Sequence, residues 1–271
     1  ISSRSSLLAT FFYLLAFYIF LKILKPVKEE AYKLRIPILV SSLLMILFLG
    51  IASKEIVASF PLIAIVYLWL ATPNKKRKCL IPKLISILFL LLIFLGYRYF
   101  EQGNLFSLKA DPTSGDTHRL LYLLSQIKVI LGYYLLKLLT PFNLNFEPDL
   151  VLYSSWFHWD WIISLTILLI AGIVIFKQQS NLIKFGALWF LITLLPTSSF
   201  IPLKQLATEH RTYLPGLGFS LILGWMFLNI KNCQTAAKVL FLIFILLSST
   251  LTLNRSLDFR SEVSLWKDTS Q

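Results

Sequence analysis

The stretch VLFLIFILLSSTLTL, residues 239–253, runs fifteen positions without a charge, and its first nine side chains are all apolar. A soluble domain of 271 residues could bury one such run. It could not bury several, and LISILFLLLIFLG at 84–96 is another. With 57% hydrophobic residues and a mean hydropathy of +0.74, the chain reads as a polytopic membrane protein. A helix pairs its own backbone N–H and C=O groups, and a hydrocarbon core about 30 Å thick asks for about 20 such residues. Strand-type alternation is absent, which argues against a barrel.

Working outward from 239–253, the hydropathy pattern predicts an all-α fold with eight spans, near 7–24, 36–52, 56–71, 84–99, 161–176, 185–201, 213–230 and 239–253. Four connectors are basic: KPVKEEAYKLR (25–35), PNKKRKCLIPK (73–83), KQQSNLIK (177–184) and KNCQTAAK (231–238). Together with Lys22 they hold fourteen of the 26 Lys and Arg but only two of the 13 acids, Glu29 and Glu30, so they are assigned to the cytoplasm. Cys79 and Cys233 then face the reducing side, while His118, His158 and His210 face outward. The net charge of +13 therefore describes topology, and no nucleic-acid partner is expected.

Parity makes residues 101–160 one external segment, although it contains the apolar run 120–139. Gln126, Lys128, Gly132 and Lys137 interrupt that run. It reads as an interfacial or re-entrant helical segment broken at Thr140-Pro141, with an ordinary ninth span as the alternative. Residues 1–253 form the expected membrane domain, and 254–271 begin an external soluble region. The first residue is Ile1 rather than Met and the tail is polar with Trp266, so the chain reads as an internal fragment.

The candidate chemistry gathers at outer helix ends. Arg4 precedes the first span, and Lys54 and Glu55 share a turn too short to leave the membrane edge. Glu209, His210 and Arg211 stand together before Tyr213 opens the seventh span, framed by Pro196, Pro202 and Pro215. Arg211 is a forked donor suited to phosphate, with Lys54 as a second cation. Glu55, Glu209 or His210 could orient those cations, hold a divalent cation, or position an acceptor hydroxyl. The plainer alternatives are helix-capping pairs and a snorkelling Arg211 with Glu209 as its counter-ion. No Gly-rich phosphate loop and no metal-type Cys/His spacing occurs.

Six motifs in order, SRSSLLATFFYLLAFYIFL, ASKEIVASFPL, YYLLKLLTPFNLNFEPD, LWFLITLLPTSSFIP, EHRTYLPGLGF and DFRSEVSLWKDT, resemble the transmembrane-and-tetratricopeptide-repeat proteins. These are GT-C membrane glycosyltransferases related to protein O-mannosyltransferases. The resemblance implies a polyprenyl-phosphate sugar donor and a protein or envelope-glycan acceptor on the non-cytoplasmic face of a bacterial plasma membrane. It also implies repeats after the last span and a catalytic acid upstream of Ile1, so Arg4, Lys54, Glu55, Glu209, His210, Arg211 and Tyr213 become donor-phosphate and substrate candidates. Two other classes fit the same composition: a transporter or flippase of an anionic or lipid-linked substrate, and a non-catalytic membrane anchor for a repeat domain.

Overall fold

A computed structural model describes residues 2–25, 29–71, 116–140, 155–198, 205–230 and 234–258, with six positions of the loop between 141 and 154. All regular structure among the described residues is helical. In chain order the helices are α1 (Ser2–Leu24), α2 (Glu29–Ser53), α3 (Phe60–Ala71), α4 (Asp116–Val129), α5 (Leu136–Leu139), α6 (Trp159–Lys177), α7 (Asn181–Leu194), α8 (Tyr213–Leu228) and α9 (Gln234–Asp258). A 3-10 turn, Glu55–Ser59, leads into α3, a π-turn, Ile130–Leu135, joins α4 to α5, and a second 3-10 turn, Glu209–Thr212, leads into α8.

Among the described residues five segments are long and apolar enough to cross a membrane: Arg4–Leu24, Arg35–Ser53, Arg119–Leu139, Trp159–Lys177 and Thr235–Leu257. Four of them match expected spans. The expected spans at 56–71, 185–201 and 213–230 are helices of shorter length, Glu55–Ala71, α7 and α8. The eight-span count is thus reached only in part, and the expected span at 84–99 lies outside the described residues, as do Cys79, Cys233 and the tail beyond Asp258. Helix α7 begins four residues before its expected start and stops at Leu194, because Pro196 disfavours helical geometry at Leu195. The fifth long segment is the run read as interrupted. Gln126, Lys128, Gly132 and Lys137 do not break it, and the helix ends only at Thr140, ahead of Pro141.

The chain divides into two compact units, Ile1–Lys109 with Leu191–Thr197, and Ala110–Phe190 with Ser198–Gln271. In the first, α1 packs along α2 and against the Glu55–Ala71 segment. Gly50 lets the helices close: a Cβ there would meet Val57 Cγ1 at 3.0 Å and the Phe12 Cβ at 3.2 Å. Tyr13 is fully buried and donates to Ser59 Oγ (3.2 Å), whose own proton goes to the Ile56 carbonyl (2.7 Å). Edge-to-face contacts of Phe60 with Tyr13 and Phe20 fill the rest of this core.

In the second unit α4 and the π-turn pack on α6, and α8 pairs with α9. Helices α7 and α8 cross backbone to backbone at two glycines. A Cβ on Gly186 would sit 2.7 Å from the Gly218 carbonyl, and one on Gly218 would sit 2.8 Å from the Phe190 nitrogen. Beside the crossing, fully buried Trp189 donates its indole N–H to the Leu214 carbonyl at 2.9 Å. Hydroxyls along the apolar helices are satisfied locally: Ser125 donates to Leu121, Ser164 to Asp160 and Thr252 to Ser248, each to the carbonyl four residues back. The outer faces of α6 and α9 present Leu169, Ile170, Ile173, Leu240, Leu242 and Leu246, a surface suited to hydrocarbon.

Candidate functional site

The sequence candidates fall into two groups, one in each unit. In the first, Arg4 is exposed near the start of α1. Two residues on, Ser6 accepts a hydrogen bond from Lys54 Nζ at 2.7 Å, and Ser53 Oγ donates to the Ser5 carbonyl at 3.1 Å. The turn at 53–55 is thereby tied to the beginning of α1. Glu55, at the head of the 3-10 turn, is buried.

The second group is the 3-10 turn Glu209–Thr212. Glu209 takes as its counter-ion Arg255, from the last turn of α9, rather than its neighbour Arg211. Arg255 Nη2 and Nε donate to Oε2 at 2.9 and 3.2 Å, with side chains only 10% and 17% exposed for Arg255 and Glu209. Arg211 is buried and directs its fork back into the chain, Nη1 to the Leu206 carbonyl at 3.2 Å and Nη2 to the Gln205 carbonyl at 3.0 Å. His210 is buried too, with Nε2 3.4 Å from Thr208 Oγ1. Tyr213 is 42% exposed at the start of α8. The loop is therefore a braced scaffold: Gln126 Nε2 donates to the same Leu206 carbonyl at 2.7 Å, so two side chains converge on one acceptor.

Leu206 forms one wall of a cleft of about 540 Å³ whose polar residues sequence reasoning did not single out as a site. Lys128 and Asp160 meet at its rim, Nζ to Oδ2 at 2.7 Å, with side chains 49% and 57% exposed. The Lys128 ammonium also stands 5.7 Å from the centre of the Tyr153 ring. Tyr153 is 8% exposed and stacks on His158, centroids 4.4 Å apart and planes 16° apart. Ser155 Oγ lies 3.1 Å from His158 Nε2 and fixes that ring from the other side. The Tyr153 backbone N–H is held by Ser125 Oγ at 3.1 Å. Its phenol oxygen is covered from solvent and interacts with the Lys128 ammonium, while its own proton finds no acceptor among the described residues. Burial pushes the phenol up, against the pull of the Lys128 charge, so Tyr153 is a neutral donor at physiological pH. Gly132, in the π-turn, opens onto the cleft, and a Cβ there would meet nothing within 4 Å. π-turns recur at functional sites because the extra residue re-aims the side chains around it.

The Lys128–Asp160 contact also fixes depth. Asp160 is the second residue of α6, whereas Lys128 lies in the middle of the apolar segment Arg119–Leu139. At 1.5 Å per residue it is about 14 Å from one end and about 17 Å from the other. The middle of one apolar helix is thus bonded to the end of another.

Lys128 was visible in sequence only as a blemish in an apolar run, and Asp160 and His158 as loop residues. A cation at mid-run was the available signal. Among the described residues no group of three His, Cys, Asp or Glu could hold a metal ion. No family model, no curated protein and no solved structure matches this chain.

Proposed function

We propose that the chain is the membrane domain of a GT-C type glycosyltransferase that takes a sugar from a polyprenyl-phosphate carrier. It would hand that sugar to a protein or envelope-glycan acceptor on the non-cytoplasmic face of a bacterial plasma membrane, with residues 254–271 leading into repeats. The observation that supports this reading is the cleft at the head of α6, where Lys128, Tyr153 and His158 converge beside apolar helical faces. A lipid-linked phosphate needs that combination: a cation and neutral donors at the edge of the hydrocarbon, and an apolar path for the chain behind. On this reading the segment Arg119–Leu139 is half immersed, because Lys128 is bonded to the membrane-edge residue Asp160.

In the transfer, the bond from the anomeric carbon to the phosphate oxygen breaks and the phosphate leaves with the electron pair, its charge met by Lys128. A bond from the anomeric carbon to the acceptor oxygen forms as a carboxylate takes the hydroxyl proton. Arg211 serves as a positioning residue that keeps the Leu206 wall in place, and Lys54 and Ser6 fasten the turn after α2 to α1.

The test is transfer of a radiolabelled sugar from a polyprenyl-phosphate donor to a hydroxyl-bearing acceptor, using the full-length protein in nanodiscs. Transfer is expected, with Lys128→Ala reducing it at least tenfold and Lys128→Arg retaining part. One observation favours a second reading, a flippase: Lys128 sits mid-way along a helix long enough to cross, as ionisable residues of transport pathways do. Movement of the lipid between leaflets without sugar transfer would put that reading in place of the first.

A further inference from the structure

We infer that Asp160 is a built-in competitor for the anion site, holding Lys128 when the cleft is empty and giving it up when a phosphate headgroup arrives. The inference rests on the transferase reading only for the identity of the lipid that carries the phosphate.

Three observations lead there. First, the pair is short at 2.7 Å, yet both side chains are about half exposed. Exposed ion pairs contribute little to folding, because water and salt screen them and two flexible side chains must be held still. A pair so placed is easily exchanged. Second, the Tyr153 phenol in the wall of the cleft interacts with the Lys128 ammonium but finds no acceptor for its own proton among the described residues. Buried polar groups are normally paired, so a phenol with an unused proton beside the lysine leaves a place for an acceptor once the Lys128–Asp160 pair opens and uncovers it. Third, the parts around that phenol are fixed before any ligand comes. His158 is stacked on its ring and steadied by Ser155, and Ser125 holds its backbone. Only the Lys128–Asp160 contact is loose.

A phosphate presents anionic oxygens in several directions, so it can be met by Lys128 and Tyr153 together, which a single Asp160 carboxylate at the rim does not achieve. Asp160 then turns toward solvent, at small cost because it is already exposed. The exchange keeps the ammonium over the cleft when no lipid is bound, and like-charge repulsion from Asp160 speeds release afterwards.

The experiment measures equilibrium binding of fluorescent farnesyl phosphate to the full-length protein in nanodiscs, with farnesol and inorganic phosphate as competitors. Removing the competitor should tighten binding, so Asp160→Asn is expected to improve affinity two- to fivefold. Lys128→Ala should weaken it tenfold or more, and the double variant should match Lys128→Ala. Gly132→Leu, which fills the cleft from a position with free space around it, should abolish binding while leaving the ion pair intact. Competition by inorganic phosphate would identify a free anion as the ligand, competition by neither compound a lipid headgroup, and full competition by farnesol alone would overturn the anion site. Unchanged or weaker binding by Asp160→Asn overturns the exchange, as does unchanged binding by Lys128→Ala. If exchange fails while sugar transfer persists, the transferase reading stands without it. If exchange holds and no sugar moves, the site binds phosphate but the transferase reading falls.

Discussion

Glu209→Gln is the substitution that most directly tests how the second unit is held. The carboxylate receives both Nε and Nη2 of Arg255, at 3.2 and 2.9 Å, and the two side chains are only 10% and 17% exposed for Arg255 and Glu209. Removing one partner of a desolvated pair costs more than the pair contributes, about 3–5 kcal/mol when burial is complete. Partial exposure and the carbonyl that Gln still offers lower this to about 2–3 kcal/mol. Arg255→Met should cost a similar amount. The double variant should cost no more than either single one, which gives an interaction energy of about 2 kcal/mol. The assay is reversible unfolding in mixed micelles, titrating a denaturing detergent and following intrinsic Trp fluorescence. Single variants costing under about 0.5 kcal/mol, or a double variant equal to the sum of the singles, would refute the reasoning and reduce the contact to a surface pairing.

Arg211→Lys should behave nearly as badly as Arg211→Ala in farnesyl phosphate binding, because Lys lacks the rigid fork whose two arms reach the Leu206 and Gln205 carbonyls; full retention by Lys would show that charge alone matters. Gly218→Val should lower thermal stability by roughly 3 kcal/mol equivalent, since its branches would meet the α7 backbone, while Gly224→Ala, with open space around its Cβ, should be neutral in the same melt. With Cys79 and Cys233 replaced, single cysteines at Ser155 and Gln179, on either side of α6, should react with an impermeant thiol reagent from opposite faces of a vesicle; reaction from one face would remove α6 from the spans. Of cysteines at Leu120 and Leu139, one should label from the face that labels Ser155 and the other, in the immersed half, should be shielded; labelling from opposite faces would make Arg119–Leu139 a full crossing and invert everything after it.

Apolar runs and Pro positions carried most of what was legible. The apolar middles of α1, α2, α6 and α9 match the runs between charges, although α2 starts back at Glu29 and α9 runs on through Arg255 to Asp258, and α7 ends where Pro196 forces it to. The run 120–139 reads as an interfacial or re-entrant helical segment broken at Thr140-Pro141, and the helix there does end at Thr140; Gln126 and Lys128, which interrupt its hydropathy, each find a partner at a distant position, Leu206 and Asp160. Pairings of this kind are separated by dozens of residues and leave no periodic trace. The same holds at the EHR loop. Only the plainer alternative pairs Glu209 with Arg211; consecutive side chains fan toward different partners, and that of Glu209 lies 46 residues later in α9. For Lys54 the short turn implies a partner, and the acceptor found, Ser6, is not among the candidates the sequence offers.

The π-turn at Ile130–Leu135 amounts to one residue more than a regular helix needs over that distance. Each residue of an α-helix rotates its successors by about 100°. Excising Gly132 would remove the spare residue and let the ladder close as a regular helix, with Lys128 and Tyr133 four positions apart on one face and Lys137 still within reach of the Phe142 carbonyl. What would be lost is the local widening at Ile130–Leu135, so a single residue separates the turn that lines the cleft from a plain helix.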